Sequence, residues 1–130
     1  MESRDGRLPP SHILHGQSSS RPDGYVLVAP LGESTTYLVN MRKEVVHQWP
    51  CEGGPGNATY LLEDGSLLRT GRVDNPDFQA RGGSGGKLQR IAWDGTVTWD
   101  YVVSDKSKHA HHDVEPLPNG NVLVIAWEHH

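Results

Sequence analysis

The sequence predicts an all-β protein made of four-stranded antiparallel β-propeller blades, about two of them, in an incomplete ring. Three observations carry this expectation. From Gly24 onward, short apolar runs are split by turn signals, and no stretch of ten or more residues combines helical periodicity with caps. Asp64-Gly65, Asp94-Gly95 and Asn119-Gly120 each sit between two such runs. These dipeptides favour tight hairpin turns and are the strongest short-range strand signal. The hairpins also repeat. "LLEDGSLLRTG" aligns with "PLPNGNVLVIA" at a shift of 55, which sets Gly65 on Gly120. "KEVVHQW" aligns with "DGTVTWDY" at a shift of 50, which sets Trp49 on Trp99. A period of roughly 50 residues holding two hairpins has the size and content of a propeller blade. An ordinary β-sandwich is the plainer alternative, because limited turn chemistry makes hairpins look alike.

Each element has its own signal. Residues 1–23 are polar and rich in Ser, Pro and Arg, and are expected to be a flexible lead-in to a partial propeller over 24–130. "GYVLVAP" (24–30) reads as a strand ended by a proline. "TTYLVNMRKEVVHQW" (35–49) reads as two strands around a polar turn. "ATYLLEDGSLLRTG" (58–71), "KLQRIAWDGTVTWDYVV" (87–103) and "HDVEPLPNGNVLVIAW" (112–127) are hairpins. Two blades do not close a ring of four to eight, so the chain is expected to be a piece of a longer protein. Its open sheet edges predict self-association. Trp49, Trp93, Trp99 and Trp127 are expected to pack between blades.

Composition excludes several functions. The formal net charge is −4, with acids and bases interspersed, so there is no footprint for nucleic acid or an anionic membrane. A single cysteine, Cys51, rules out an internal disulfide and a four-cysteine zinc site. No apolar run is long enough for a membrane span, and no signal-peptide core is present. "GGSGGK" (82–87) fails as a phosphate loop: Arg81 stands where a glycine is needed, Leu88 follows the lysine, and a strand comes next. "NAT" (57–59) fits a glycosylation acceptor by chance.

The chemistry concentrates in "KHAHHDVEPLPNG" (108–120). At the shift of 55, His112 falls opposite Asn57 and Asp113 opposite Ala58. Both segments precede the first strand of an equivalent hairpin. If that strand is innermost, His111, His112 and Asn57 converge on one channel rim, where ligands bind. Histidine serves as nucleophile, general acid or base, or metal ligand. Asp113 is able to fix the tautomer of a neighbouring histidine. Adjacent strand residues point to opposite faces, so His111 and His112 share a side only on an irregular backbone. Arg69 and Arg72 offer positive charge to an anionic ligand. A polar rim loop is the bland alternative, and a zinc site from His109, His111 and Asp113 is the rival, at i, i+2, i+4 spacing on one face.

These stretches together resemble the N-terminal part of arylsulfotransferase-type proteins, over nearly everything from Gly24 to Trp127. The resemblance implies a β-propeller enzyme that moves a sulfuryl group from a phenolic sulfate ester to a phenol through a sulfated histidine. It implies neither the nucleotide sulfate donor nor a metal or other cofactor, and it suggests an exported protein. It places His112, supported by His111, in the active site, while Asn57, Arg69 and Asp113 are the substrate-binding candidates that the repeat and the residue chemistry supply. Further histidines and an arginine are expected beyond His130, so this chain alone is expected to be inactive. The competing expectation is a non-catalytic propeller module that binds a ligand or protein.

Overall fold

The computed structural model describes residues 23–78 and 84–129. The expected lead-in therefore lies outside the described residues, apart from Asp23, as do Gly82 and Gly83 of the glycine-rich crossing. Nine strands follow in chain order: β1 Tyr25–Val28, β2 Thr36–Asn40, β3 Val45–Trp49, β4 Pro55–Leu61, β5 Leu67–Arg72, β6 Gly86–Ile91, β7 Val97–Val102, β8 Lys108–Pro116 and β9 Val122–Glu128. They form three antiparallel sheets, ordered β1-β2-β3, β4-β5-β6-β7 and β8-β9. Among the described residues there is no helix, and no sheet closes into a barrel.

The three glycine turns are copies of one device. Gly65, Gly95 and Gly120 have φ of 81°, 89° and 85°. Their N–H groups donate to Leu62, Ala92 and Leu117, three residues back. Asp64, Asp94 and Asn119 accept the N–H two residues on. Each is a turn with one left-handed residue before the returning strand, so only the glycine needs positive φ. The β2–β3 turn is built the same way, with the Lys43 N–H donating to the Asn40 carbonyl. There Lys43 occupies the left-handed position at φ 69°, which costs a residue with Cβ about 1–2 kcal/mol.

The middle sheet is covered on both faces, and strand alternation explains how. Leu67 and Ile91 pack with Leu38 and Trp49 of the first sheet. Leu68 and Leu88 turn the other way and pack on Val114 of the third. Strand β5 is buried along almost its whole length, while β7 at the edge is exposed throughout. Each buried leucine or isoleucine contributes roughly 1.5–3 kcal/mol.

The tryptophans divide. Trp49, fully buried, donates its indole N–H to the Ala92 carbonyl at 3.1 Å and meets Trp93 edge-on at 5.3 Å. His47 stacks on Trp93 at 3.8 Å, so this trio joins the first and middle sheets. Trp127 lies against His109 and His111. Trp99 departs from expectation: it stacks on Tyr101 of its own strand and stays 39% exposed. On the edge strand β7 no neighbouring sheet reaches it.

Candidate functional site

The site begins with a backbone irregularity that occurs twice. In β4–β5 the pairing jumps from Pro55↔Gly71 to Thr59↔Arg69, and in β8–β9 from Ala110↔Ala126 to Val114↔Val124. Three residues on the first strand face one on its partner, a larger bulge than the usual two against one. Every one of these positions is related by the shift of 55 found in the sequence. The bulged residues are Gly56, Asn57 and Ala58 in one hairpin and His111, His112 and Asp113 in the other. Asn57 holds φ at 116°, strained for a residue with a side chain.

The bulge overrides strand alternation. His111 and His112 do turn toward each other: their ring centroids lie 4.2 Å apart at 68°, with the two Nδ1 atoms in contact. His111 also packs on Trp127 at 3.9 Å. Burial, and then the charge of His112, hold the His111 pKa below the usual imidazole range. His111 is thus neutral near pH 7 and accepts at Nδ1 when His112 donates its Nδ1–H. In that tautomer His112 Nε2 carries a free lone pair.

Asp113 is fixed from the neighbouring strand β4. Tyr60 donates its hydroxyl to Asp113 Oδ1 at 2.7 Å, and the Val114 N–H donates to the same oxygen at 2.8 Å. The Tyr60 bond above all, then the Val114 N–H and the charge of His112, hold the Asp113 carboxyl below its ordinary value. The same bond raises Tyr60. Asp113 thus remains an anion near neutral pH, beside the histidine pair.

The two bulges meet across Gly85. The Gly85 N–H donates to the Ala110 carbonyl at 3.2 Å. A Cβ built on Gly85 would lie 2.3 Å from the His111 carbonyl oxygen, and one built on Gly56 would lie 2.9 Å from the Gly85 Cα. The glycine-rich crossing is therefore a spacer whose bare backbone lets β4 and β8 approach. No hydrogen bond among the described residues joins Asn57 to either histidine.

Arg69 and His109 stand apart from this cluster. Arg69 is fully buried on the face turned to the first sheet. It donates to the carbonyls of Gly53 at 2.6 Å and Glu52 at 3.4 Å, and to Gln89 Oε1 at 3.1 Å. Burial pushes its pKa down, and its Nε has no partner. It braces the loop before β4, while Arg72 at the strand end is exposed. His109 is buried, with Ser104 Oγ at 2.8 Å from Nδ1 and Ser84 Oγ at 3.2 Å from Nε2. With both nitrogens occupied and burial lowering its pKa, it is a neutral packing residue. The i, i+2, i+4 set of His109, His111 and Asp113 does not converge, because the bulge breaks the alternation it relied on. Among the described residues, no three His, Cys, Asp or Glu side chains gather to hold a metal ion.

Tyr60, Trp127 and the serines at 84 and 104 were not legible as site residues. Tyr60 carries no sequence signal, since its partner is 53 positions away. Gly85-Gly86 did carry one: two glycines before a strand mark a close backbone approach. No protein-family model matches the chain, and neither a curated protein nor a solved structure is similar to it at significance.

Proposed function

We propose that the chain contributes two blades and part of an active site to a β-propeller of the arylsulfotransferase type. The middle four-stranded sheet is one blade, flanked by three strands of the preceding blade and two of the next. The carrying observation is the His111–His112 pair, held on a bulge that recurs at a shift of 55 and lies within β8, the strand read as innermost. In this reading His112 Nε2 attacks the sulfur of a phenolic sulfate ester. The N–S bond forms as the aryl O–S bond breaks, and the phenolate leaves. An acceptor phenol oxygen then attacks that sulfur, the N–S bond breaks, and the phenol proton passes to solvent. His111 holds the nucleophilic tautomer by accepting Nδ1–H, and the Asp113 anion stabilises the positive charge that grows on His112. Asn57, on the equivalent bulge, is the neighbouring contact for sulfonate oxygens, and Arg69 supports that bulge from beneath.

The test is single-turnover labelling with 4-nitrophenyl sulfate. Stoichiometric 4-nitrophenolate release, with one sulfonate added to the peptide bearing His112, supports the reading. Measured on the complete propeller, His112→Asn abolishes both, whereas a complete wild-type propeller that releases nothing and gains nothing refutes the reading. One observation favours a non-catalytic binding module instead: the same bulge carries Asn57 in one hairpin and His112 in the other, so it is a scaffold feature independent of histidine chemistry. Binding of the ester without cleavage is the result that selects it.

A further inference from the structure

Two apolar faces lie open at opposite ends of the stack. On the first sheet, Leu27 and Leu38 face inward, and pairing puts Val26, Val28, Tyr37, Val39 and Val45 on the outer face. Val26, Val28 and Val45 are exposed. At the other end, β8–β9 covers only part of the middle sheet. Beside it runs a groove of about 1000 Å³ with Leu68, Leu88, Trp99, Tyr101 and Val124 among its walls. Strand β9 borders the groove with an unpaired edge.

We infer that this groove seats the β2–β3 hairpin of a second copy, head to tail. The internal repeat identifies the occupant. Strands β8 and β9 reproduce β4 and β5 in register, bulge included. In the middle sheet, β6 and β7 fill the place that is empty beside β9. The irregularity between Leu38 and Val39 recurs between Arg90 and Ile91 at a shift of 52, with Val39↔Val45 matching Ile91↔Val97, which makes β3 the counterpart of β7 and β2 the counterpart of β6. Among the described residues, the hairpin that matches the vacancy and has an uncovered apolar face is therefore β2–β3. The outer face turned to the groove is its valine face, which the monomer leaves in water. Strands β1 and β9 are both counterparts of β5 and compete for one position. Strand β1, four residues long and mostly exposed, is the one that yields. Such a contact joins different surfaces on the two copies, so it propagates into rings or filaments. The inference rests on strand order and register alone, so it stands or falls separately from sulfuryl transfer.

Sedimentation velocity on the 130-residue chain tests it, with two variants that each damage one end. Val26→Lys with Val45→Lys blocks the hairpin face, and Trp99→Lys with Tyr101→Lys blocks the groove. All four positions are exposed, and circular dichroism checks that both variants keep the wild-type spectrum. The wild type is expected to at least double its average mass with concentration. Each variant alone stays monomeric, and their equimolar mixture forms a dimer, because each keeps one intact end. A wild type that remains monomeric overturns the inference, and so does a mixture that gives no dimer. A monomeric wild type points to a different occupant of the groove.

Discussion

Gly85→Ala is the sharpest perturbation of the candidate site, because it adds one methyl group where two bulged strands meet. The added Cβ would lie 2.3 Å from the His111 carbonyl oxygen and 3.2 Å from that of Ala110. Ordinary contact between these atom types is near 3.3 Å, so the backbone must separate by about 1 Å. Both neighbours are main chain and no rotamer relieves the clash. That separation also strains the Gly85 N–H bond to Ala110 and the Val73 N–H bond to the Gly85 carbonyl. Overpacking together with two weakened buried bonds costs about 2–4 kcal/mol. Gly95→Ala is the control. Its φ is 89° with nothing within 4 Å of the added Cβ, so it incurs only left-handed strain, about 1–2 kcal/mol. Urea denaturation with a common m-value measures both. Gly85→Ala should be the less stable of the two, and the imidazole resonances of His111 and His112 should shift in that variant alone. Equal stability, or unmoved imidazole resonances in Gly85→Ala, would refute the packing argument.

Other outcomes follow from the same geometry. Tyr60→Phe removes the main cause of the low Asp113 pKa, so the Asp113 carboxyl should titrate higher in a pH series followed by NMR. Arg69→Met leaves the Glu52 and Gly53 carbonyls without their donor and should destabilise the chain by about 2 kcal/mol in thermal or urea unfolding. Lys43→Gly relieves a left-handed residue and should stabilise by roughly 0.5–1 kcal/mol, less than the full strain because the unfolded chain gains freedom. His109 has its pKa lowered by burial, so the unfolded chain binds its proton first. Stability should therefore fall as pH drops below about 6.5, and His109→Gln should flatten that slope in pH-dependent melts. Asp64 is held at about 2, first by Ser66 and then by Arg90, so its contribution should be intact above about pH 4 and lost only as pH falls toward 2.

How much was readable depended on distance along the chain. The hairpins of 58–71, 87–103 and 112–127 form as expected, because an Asp-Gly or Asn-Gly turn is decided within five residues. The repeat was readable as well, and the matching bulges at Pro55–Thr59 and Ala110–Val114 are its physical counterpart. Trp99 was misjudged because the sequence set it on Trp49, whereas the strand pairing makes Tyr101 the counterpart of Trp49 and leaves Trp99 half-exposed on the edge strand β7.

The chain by itself determined which segments become strands, where they turn and which strand heads are equivalent, since periodicity, glycine φ and turn hydrogen bonds are local. Only the tertiary structure decided the chemistry of the cluster. Both His109 and Arg69 look available in sequence, yet His109 ends between two serine hydroxyls and Arg69 under the loop before β4. His111 and His112 look opposed, yet the bulge brings their rings together and Tyr60 holds Asp113 beside them. The difference arises because burial and hydrogen-bond partners come from residues tens of positions away, and a strand that breaks its alternation redirects every side chain on it.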